Sequence, residues 1–134
     1  MDIKLLKFNP RGDNRGQLIP IESDKDIPFA IKRVYYIYDT AEGVIRGRHA
    51  HKSLEQVLIC VTGSCKVSLD DGKSKEEICL NKPNEGIYIK NNIWREMYDF
   101  SNDAVLVVLA SDYYDENDYI RDYNEFIDYI RYRK

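Results

Sequence analysis

The feature that most limits the fold of this chain is a succession of short β-type segments in its first 110 residues. Each segment is rich in β-branched, aromatic or other apolar residues, and turn signals such as Gly63-Ser64 and Asp70-Asp71-Gly72 separate them. The segments cover residues 3–8, 17–22, 31–38, 57–61, 65–69, 76–80, 86–90, 94–100 and 104–110. Many short strands at close spacing, with no helical stretch between them, predict an all-β sandwich or barrel.

The last part of the chain follows a different pattern. Apolar side chains recur there at the spacing of one helix face, at Tyr119, Ile120, Tyr123, Phe126, Ile127 and Ile130. Asp115 is a suitable N-cap, and Arg131, Arg133 and Lys134 lie at the end where the helix dipole favours cations. We therefore expect a barrel over about residues 3–111 and an α-helix over about residues 115–131, within one domain that spans residues 1–134.

Composition limits the class of ligand. The 134 residues suit one domain, and a hydrophobic content of 43% is enough for the interior of a barrel. The formal net charge of −3 argues against binding to nucleic acid or acidic membranes. Despite the negative net charge, a local cluster of arginines could still bind one small phosphorylated ligand.

Three cysteines, Cys60, Cys65 and Cys79, form no CxxC pair, and an odd number suits a reducing compartment. Lys4 and Lys7 interrupt any apolar run at the N-terminus, so we expect no signal peptide. No stretch approaches the roughly 20 apolar residues that a membrane-spanning helix needs. These observations predict a cytoplasmic protein.

Both histidines of the chain lie in one short motif between Gly43 and Gly63. On a strand, His49 and His51 point to the same face because side chains alternate. With Glu55 the stretch is close to the first cupin signature, G-x5-H-x-H-x3-E-x6-G, with one additional residue before the final glycine. The motif predicts a cupin (jelly-roll) β-barrel with a C-terminal α-helix and with both histidines in an interior pocket.

In metal-binding cupins a third histidine from a later strand completes the ligand set. Arg95 stands in that place here, and a guanidinium has no lone pair to give to a metal. We therefore prefer a metal-free pocket in which the histidines are acid–base groups, and Arg95 would keep at least one ring neutral. An iron site made of His49, His51 and Glu55 is the alternative.

Basic and aromatic residues surround this motif in the sequence. They are Arg33, Arg46, Arg48, Lys52 and Arg95, interleaved with Tyr35, Tyr36, Tyr38 and Trp94. Guanidinium groups match phosphate oxygens, and aromatic faces stack on bases or sugars. The combination predicts that a phosphorylated sugar or a nucleotide is the ligand.

Taken together, these segments resemble the dTDP-sugar 3,4-ketoisomerases. The resemblance is carried by Arg46-Gly47-Arg48-His49-Ala50-His51-Lys52 and by segments 27–36, 54–60, 94–101 and 109–121. It implies conversion of dTDP-4-keto-6-deoxyglucose to its 3-keto isomer without metal or other cofactor, in a homodimer with exchanged strands. In that family the step precedes transamination at C3, on the way to 3-amino-3,6-dideoxy sugars of surface glycans such as the O-antigen of lipopolysaccharide.

The resemblance also implies roles for individual residues. His49 and His51 match the catalytic pair, and the expected substrate-binding residues are Arg15, Arg33, Tyr35, Arg46, Lys52 and Arg95. Positions matching Arg15 and Arg95 vary with the C4 configuration of the product. Arg15 agrees with the galacto-type members, which carry histidine at the position of Arg95. Arg15 therefore indicates the galacto product, whereas Arg95 argues against it. From the sequence we expect the galacto product.

Three other functions stay open at this point. A deoxysugar 3,5-epimerase needs a base on each face of the sugar ring, and usually has a longer chain with a His–Asp pair. A non-catalytic sugar-nucleotide-binding cupin would use the same arginines without turnover. A metal-dependent cupin oxygenase would need the iron site described above. Because His49 and His51 lie on one strand face, the spacing favours a proton shuttle over an epimerase.

Overall fold

The computed structural model describes Met1 and residues 3–132, which form strands followed by one C-terminal helix. The strands are β1 (Ile3–Lys7), β2 (Arg11–Asp13), β3 (Gly16–Leu18), β4 (Arg33–Tyr38), β5 (Arg46–His51), β6 (Gln56–Thr62), β7 (Cys65–Asp70), β8 (Lys75–Leu80), β9 (Glu85–Ile89), β10 (Trp94–Tyr98), β11 (Val105–Ala110) and β12 (Tyr119–Ile120). The helix is α1 (Tyr123–Tyr132).

Two five-stranded antiparallel sheets make up the barrel, in the orders β1-β9-β6-β11-β4 and β12-β5-β10-β7-β8. The alternate apolar side chains of both sheets pack together in one buried core, which includes Leu58, Val67, Leu69, Ile87 and Leu106. Alternation places these residues inward because side chains on a strand have a period of two. The predicted all-β barrel with a C-terminal helix is confirmed.

Strand β6 is buried on both faces, which explains its unbroken apolar sequence. Leu58 faces the barrel core, whereas Val57 and Ile59 face outward and pack against Phe8 and Phe29 from the segment before β4. A strand covered on both sides reads as a continuous apolar run rather than an alternating one. The N-terminal segment therefore forms a second layer over the outside of this sheet.

The C-terminal segment differs from the expected helix over residues 115–131. Asp115 caps a single 3-10 turn (Glu116–Asp118), and the next two residues form β12, which pairs with the end of β5. Helix α1 begins only at Tyr123, where the Asp122 side chain accepts a hydrogen bond from the Glu125 N–H. Pairing with β5 outweighs helical periodicity here because it completes a sheet edge.

Helix α1 packs on the outside of the second sheet. Phe126 is fully buried against Trp94, Ala50 and Ile120. Arg133 and Lys134, which the sequence placed at the helix end, lie outside the described residues. Within Met1 and residues 3–132, no helix has the length and apolar character needed to cross a membrane.

Candidate active site

Strand β5 turns both histidines inward through a local bulge. The register between β5 and β10 shifts beside Gly47, whose φ is 83°. A Cβ atom on Gly47 would lie 2.9 Å from Met97 Sδ and 3.1 Å from the Arg95 carbonyl oxygen, so glycine is required at this left-handed position. Bulges of this kind re-aim side chains and are frequent beside active sites. Past the bulge, His49 and His51 follow in alternation.

The two histidine side chains lie side by side inside the barrel. Their ring centroids are 4.8 Å apart in an edge-to-face arrangement. His49 is 8% exposed and His51 is fully buried. The prediction that both rings share one face of a strand and enter an interior pocket is confirmed.

Asp118 orients the His51 ring. Its Oδ2 atom lies 3.1 Å from His51 Nδ1, and its carboxylate also accepts hydrogen bonds from the backbone N–H groups of Ser53 (2.8 Å) and Leu54 (3.2 Å). A carboxylate can only accept, so His51 carries its proton on Nδ1 and presents a bare lone pair on Nε2. No side chain or backbone group in the described residues hydrogen-bonds that Nε2.

The environment keeps both imidazoles neutral. Burial, followed by the charge of Arg95, lowers the pKa of His49 to about 3. The same two causes, in the same order, lower the pKa of His51 far below its ordinary value, with His49 contributing next. Asp118 acts in the opposite sense because an anion favours imidazolium, but burial and the neighbouring cations outweigh it. His51 is therefore held ready to accept a proton at Nε2.

A buried cation lies under the pair. Arg95, directly opposite His49 on β10, is 1% exposed, and burial lowers its pKa to about 10. Its guanidinium donates to Gln56 Oε1 at 2.7 Å and to the Ile93 carbonyl oxygen at 3.0 Å. Gln56 Nε2 in turn donates to the Tyr35 hydroxyl oxygen at 3.2 Å. These contacts form one continuous hydrogen-bond chain.

The structure corrects the expected position of Glu55. Its Oε1 atom accepts a hydrogen bond from the Tyr88 hydroxyl at 2.6 Å, and it is Gln56, 1% exposed, that points to the interior beside Arg95. Consecutive side chains of a strand face opposite sides, so a one-residue difference in register exchanges them. Six residues separate Gln56 from Gly63, as in the motif, so the additional residue lies between His51 and Gln56.

The described residues do not fit a metal. Two imidazoles are present, but Arg95 and Gln56 stand where the remaining cupin ligands would be, and neither a guanidinium nor an amide supplies an anionic donor. In the part of the chain that the structure describes, no group of three or more His, Cys, Asp or Glu side chains is arranged to hold a metal ion. The expected alternative with Glu55 as an iron ligand is wrong.

Two cavities meet at the histidines. The larger, of about 490 Å³, contains His49, Tyr35 and Arg46, and the smaller, of about 210 Å³, contains His51. Arg33 and Tyr119 line both cavities and form their common wall. Buried nitrogens of His49, His51, Arg33 and Arg95 have no hydrogen-bond partner in the described residues. Unpartnered buried donors and acceptors are costly, so this concentration marks a ligand site.

Two predicted substrate-binding residues lie away from these cavities. Arg15 is at the tip of the β2–β3 hairpin, 87% exposed, where it forms a bidentate pair with Asp13. The Lys52 ammonium lies 5.7 Å from the ring centroid of Tyr129 on α1, because the chain leaves the barrel directly after His51. Lys52 lines neither cavity, and its role in substrate binding stays a prediction.

Strand alternation also removes several predicted aromatic residues from the site. Tyr35 faces inward, whereas Tyr36 and Tyr38 of the same strand are exposed on the outer face. Trp94 packs against Phe126 with ring centroids 5.9 Å apart, outside the second sheet. Tyr36 and Tyr38 thus lie on the outer surface and Trp94 is buried under helix α1, and the exposed Arg48 lines neither cavity.

Besides Asp118 and Gln56, the sequence reasoning missed three further residues that the structure brings to the site: Tyr119, Arg121 and Glu116. Tyr119 contacts both histidines, with ring centroids 5.0 Å from His49 and 4.4 Å from His51. Arg121 stacks on Tyr119 at 4.1 Å, and its guanidinium is fixed by Glu116 at 2.7 and 2.9 Å. The aromatic and charged residues after Asp115 were the available signal, but the expected helix over this segment placed Tyr119 on a packing face.

Comparison with known proteins agrees with this geometry. The family model described as "FdtA: WxcM-like, C-terminal" matches residues 1–131. The chain belongs to this family. A curated relative, the TDP-4-oxo-6-deoxy-alpha-D-glucose-3,4-oxoisomerase of Aneurinibacillus thermoaerophilus, is 56% identical over 130 residues, which are 97% of this chain and 94% of the relative.

This member of the FdtA family is similar to two 3,4-ketoisomerases of solved structure. The TDP-quinovose 3,4-ketoisomerase of Campylobacter jejuni is 56% identical, with a TM-score of 0.91 over 95% of this chain and 98% of that chain. A variant of the 3,4-ketoisomerase of Thermoanaerobacterium thermosaccharolyticum, in complex with TDP-4-keto-6-deoxyglucose, is 49% identical, with a TM-score of 0.96 over 98% and 96% of the two chains.

The barrel is shared more widely than the family. The dTDP-4-dehydrorhamnose 3,5-epimerase of Bacillus anthracis is 16% identical, with a TM-score of 0.77 over 88% of this chain and 77% of that chain. This likeness concerns the fold alone. A His–Asp pair is a feature that the sequence reasoning associated with epimerases. The His51–Asp118 contact shows that such a pair is also present in this member of the FdtA family.

Proposed function

We propose that the protein is a sugar-nucleotide 3,4-ketoisomerase that converts dTDP-4-keto-6-deoxyglucose to its 3-keto isomer. The observation that carries the proposal is the buried histidine pair, in which Asp118 holds His51 as a neutral base with a free Nε2. Ketoisomerisation moves one proton between adjacent carbons and requires no redox partner. Similarity to enzymes named for this reaction supports the substrate.

The catalytic step uses this neutral base. His51 removes the proton from C3, which the adjacent C4 ketone acidifies, and the electrons of the broken C–H bond form an enediolate with charge on the C4 oxygen. His49 moves the proton from the C3 hydroxyl towards the C4 oxygen, and Arg95 stabilises the developing negative charge. C4 is then protonated from solvent on the opposite face of the ring, because H3 and H4 of a gluco sugar lie on opposite faces, and His51 releases its proton to solvent. The ketone is left at C3.

The larger cavity is the proposed binding site of the nucleotide. Arg33 and Arg46 line it together with Arg121, and guanidinium groups match diphosphate oxygens. Buried nitrogens of Arg33 have no hydrogen-bond partner in the described residues, as expected of donors reserved for an anion. The sugar then lies deeper, between the histidines and Tyr35.

A homodimer with exchanged strands completes the proposal. The β2–β3 hairpin pairs with no other strand in the described residues, and isolated two-stranded hairpins are marginally stable in water. Contact with a second copy would support it and would carry Arg15 to the partner's cavity. Light scattering measures the dimer. When Arg15→Ala and His51→Asn chains are refolded together, recovered activity would show that Arg15 acts across the dimer.

For the C4 configuration we propose the gluco product in place of the galacto product expected from the sequence. Arg95, which stands where the galacto-type members have histidine, lies directly under the histidine pair of its own chain, whereas Arg15 would reach a cavity only across the proposed dimer. We therefore give Arg95 the greater weight. Similarity to an enzyme named for TDP-quinovose, a 6-deoxyglucose, supports the same choice. The proton coupling at C4 of the product distinguishes the two configurations.

We place the enzyme in the cytoplasm, where its free cysteines, including the exposed Cys79, would stay reduced. A 3-keto sugar is the form that transamination at C3 requires. The product therefore suits a 3-amino-3,6-dideoxy sugar for a surface glycan such as an O-antigen.

The decisive experiment is incubation with dTDP-4-keto-6-deoxyglucose in deuterated water, followed by NMR. A 3-keto product that carries deuterium at C4 supports the proposal. Deuterium at C5 would favour a 3,5-epimerase instead. Saturable binding without any product would favour a non-catalytic sugar-nucleotide-binding protein.

A further inference from the structure

The hydrogen-bond chain of Arg95, Gln56 and Tyr35 has a fixed direction. A guanidinium only donates, so the group 2.7 Å from Arg95 must be the carbonyl oxygen of Gln56. The amide nitrogen of Gln56 is then the group that faces Tyr35, and it donates to the hydroxyl oxygen at 3.2 Å. The charge of Arg95 thus determines which end of the Gln56 amide meets Tyr35.

This direction leaves the Tyr35 hydroxyl proton available. The hydroxyl oxygen accepts from Gln56, and Tyr35 lines the larger cavity together with His49. Burial raises the pKa of Tyr35, so the hydroxyl keeps its proton near neutral pH. The residue is therefore arranged to donate one hydrogen bond to a ligand oxygen.

The choice of an amide at position 56 matters for the same reason. The cupin signature has glutamate in this place, and a carboxylate would accept from both neighbours. Tyr35 would then donate to residue 56 instead of to a ligand. A carboxylate would also neutralise Arg95, whose hydrogen bonds are otherwise to the uncharged Gln56 and Ile93.

We propose that Gln56 is a positioning residue that directs the Tyr35 hydroxyl proton to the sugar oxygen on which negative charge develops. The inference rests on the proposed ketoisomerase function. Arg95 polarises the amide, the amide polarises the hydroxyl, and the donated hydrogen bond strengthens as the enediolate forms. Tyr35 is the group that touches the substrate, and Gln56 acts through it.

A double-mutant cycle tests this with Gln56→Glu and Tyr35→Phe. Each single variant is expected to lower kcat about 100-fold with KM changed much less, because the hydrogen bond matters mainly in the transition state. The double variant is expected to be no slower than the slower single variant. Independent, multiplying losses would overturn the inference, because Gln56 would then not act through Tyr35.

Two controls separate this inference from folding and from the proposed function. Asn102→Asp makes the same amide-to-carboxylate change on an exposed turn and should keep wild-type kcat. The Tyr35 hydroxyl pKa, measured by NMR of 13Cζ-tyrosine in ligand-free protein, should rise in Gln56→Glu. If the Tyr35 pKa is unchanged in Gln56→Glu, Gln56 does not act on Tyr35, and the inference is wrong even if the wild-type protein turns over the proposed substrate. If the pKa rises but the wild-type protein does not turn over this substrate, only the proposed reaction is wrong.

Discussion

The interior of this barrel has two regions of opposite character between the same two sheets. At one end, residues such as Leu58, Val67 and Leu106 are fully buried among apolar neighbours. At the other end, His49 and Arg95 are almost as deeply buried, yet some of their polar atoms have no hydrogen-bond partner in the described residues. The first region satisfies its side chains by packing, and the second does not.

The difference shows where stability and function reside. Burial of apolar surface stabilises the fold, whereas buried polar groups without partners destabilise it. An interior that keeps such groups is arranged for a ligand that will supply the missing partners. Substitutions in the two regions should therefore separate activity from stability.

The largest effect is expected from His51→Asn in the polar region. Loss of the base should lower kcat about 1,000-fold, because general acid–base catalysis contributes roughly 10²- to 10⁴-fold. The melting temperature should change little, since His51 carries no charge in the folded protein. A turnover assay measures kcat, and thermal unfolding measures the melting temperature. Full turnover by His51→Asn would rule out His51 as the base.

Leu106→Ala makes the reverse change in the apolar region. Leu106 is fully buried in the core, so its truncation should lower the free energy of unfolding by about 3 kcal/mol. At a temperature where the variant is folded, kcat should stay within about twofold of wild type. Urea unfolding measures the loss; a stable variant with low kcat would mean that the two regions are not separate.

Asp118→Asn sharpens the comparison within the polar region. The amide can present its N–H to His51 and stabilise the wrong tautomer, so kcat should fall about 100-fold. Imidazole 15N chemical shifts report the tautomer directly. Asp99→Asn, which removes an exposed carboxylate that pairs with Lys66, is the matched control and should keep the wild-type tautomer and rate.

The last comparison concerns the pH dependence of stability. The folded protein keeps both histidines neutral, whereas the unfolded chain protonates them below about pH 6.5. The unfolded state then binds more protons, so stability falls as pH decreases from 6.5, by up to about 1.4 kcal/mol per pH unit for each histidine. His49→Asn/His51→Asn should reduce this slope between pH 6.5 and 5; equal slopes would contradict the lowered pKa values.

Much of the barrel and part of the site could be predicted from the sequence. Strand positions follow from local apolar patterns and turn residues, and the shared face of His49 and His51 follows from alternation within one strand. Arg95 in place of a third histidine directed the interpretation towards acid–base chemistry. Each of these inferences depends on neighbours along the chain.

The remaining features depend on contacts between residues that are distant in sequence. Asp118 reaches His51 across 67 positions, and no local pattern distinguishes it from the other acids of its segment. The interior position of Gln56, in place of Glu55, depends on where β6 starts, and a shift of one residue exchanges the two faces.

The sequence by itself determined the strand pattern, the histidine pair and the family. Only the tertiary structure decided which atoms surround the pair: Asp118 behind it, Arg95 beneath it and the Gln56–Tyr35 chain beside it. The physical reason is that alternation along a strand is local, whereas burial, hydrogen bonding and the lowered pKa values arise only when separate strands meet.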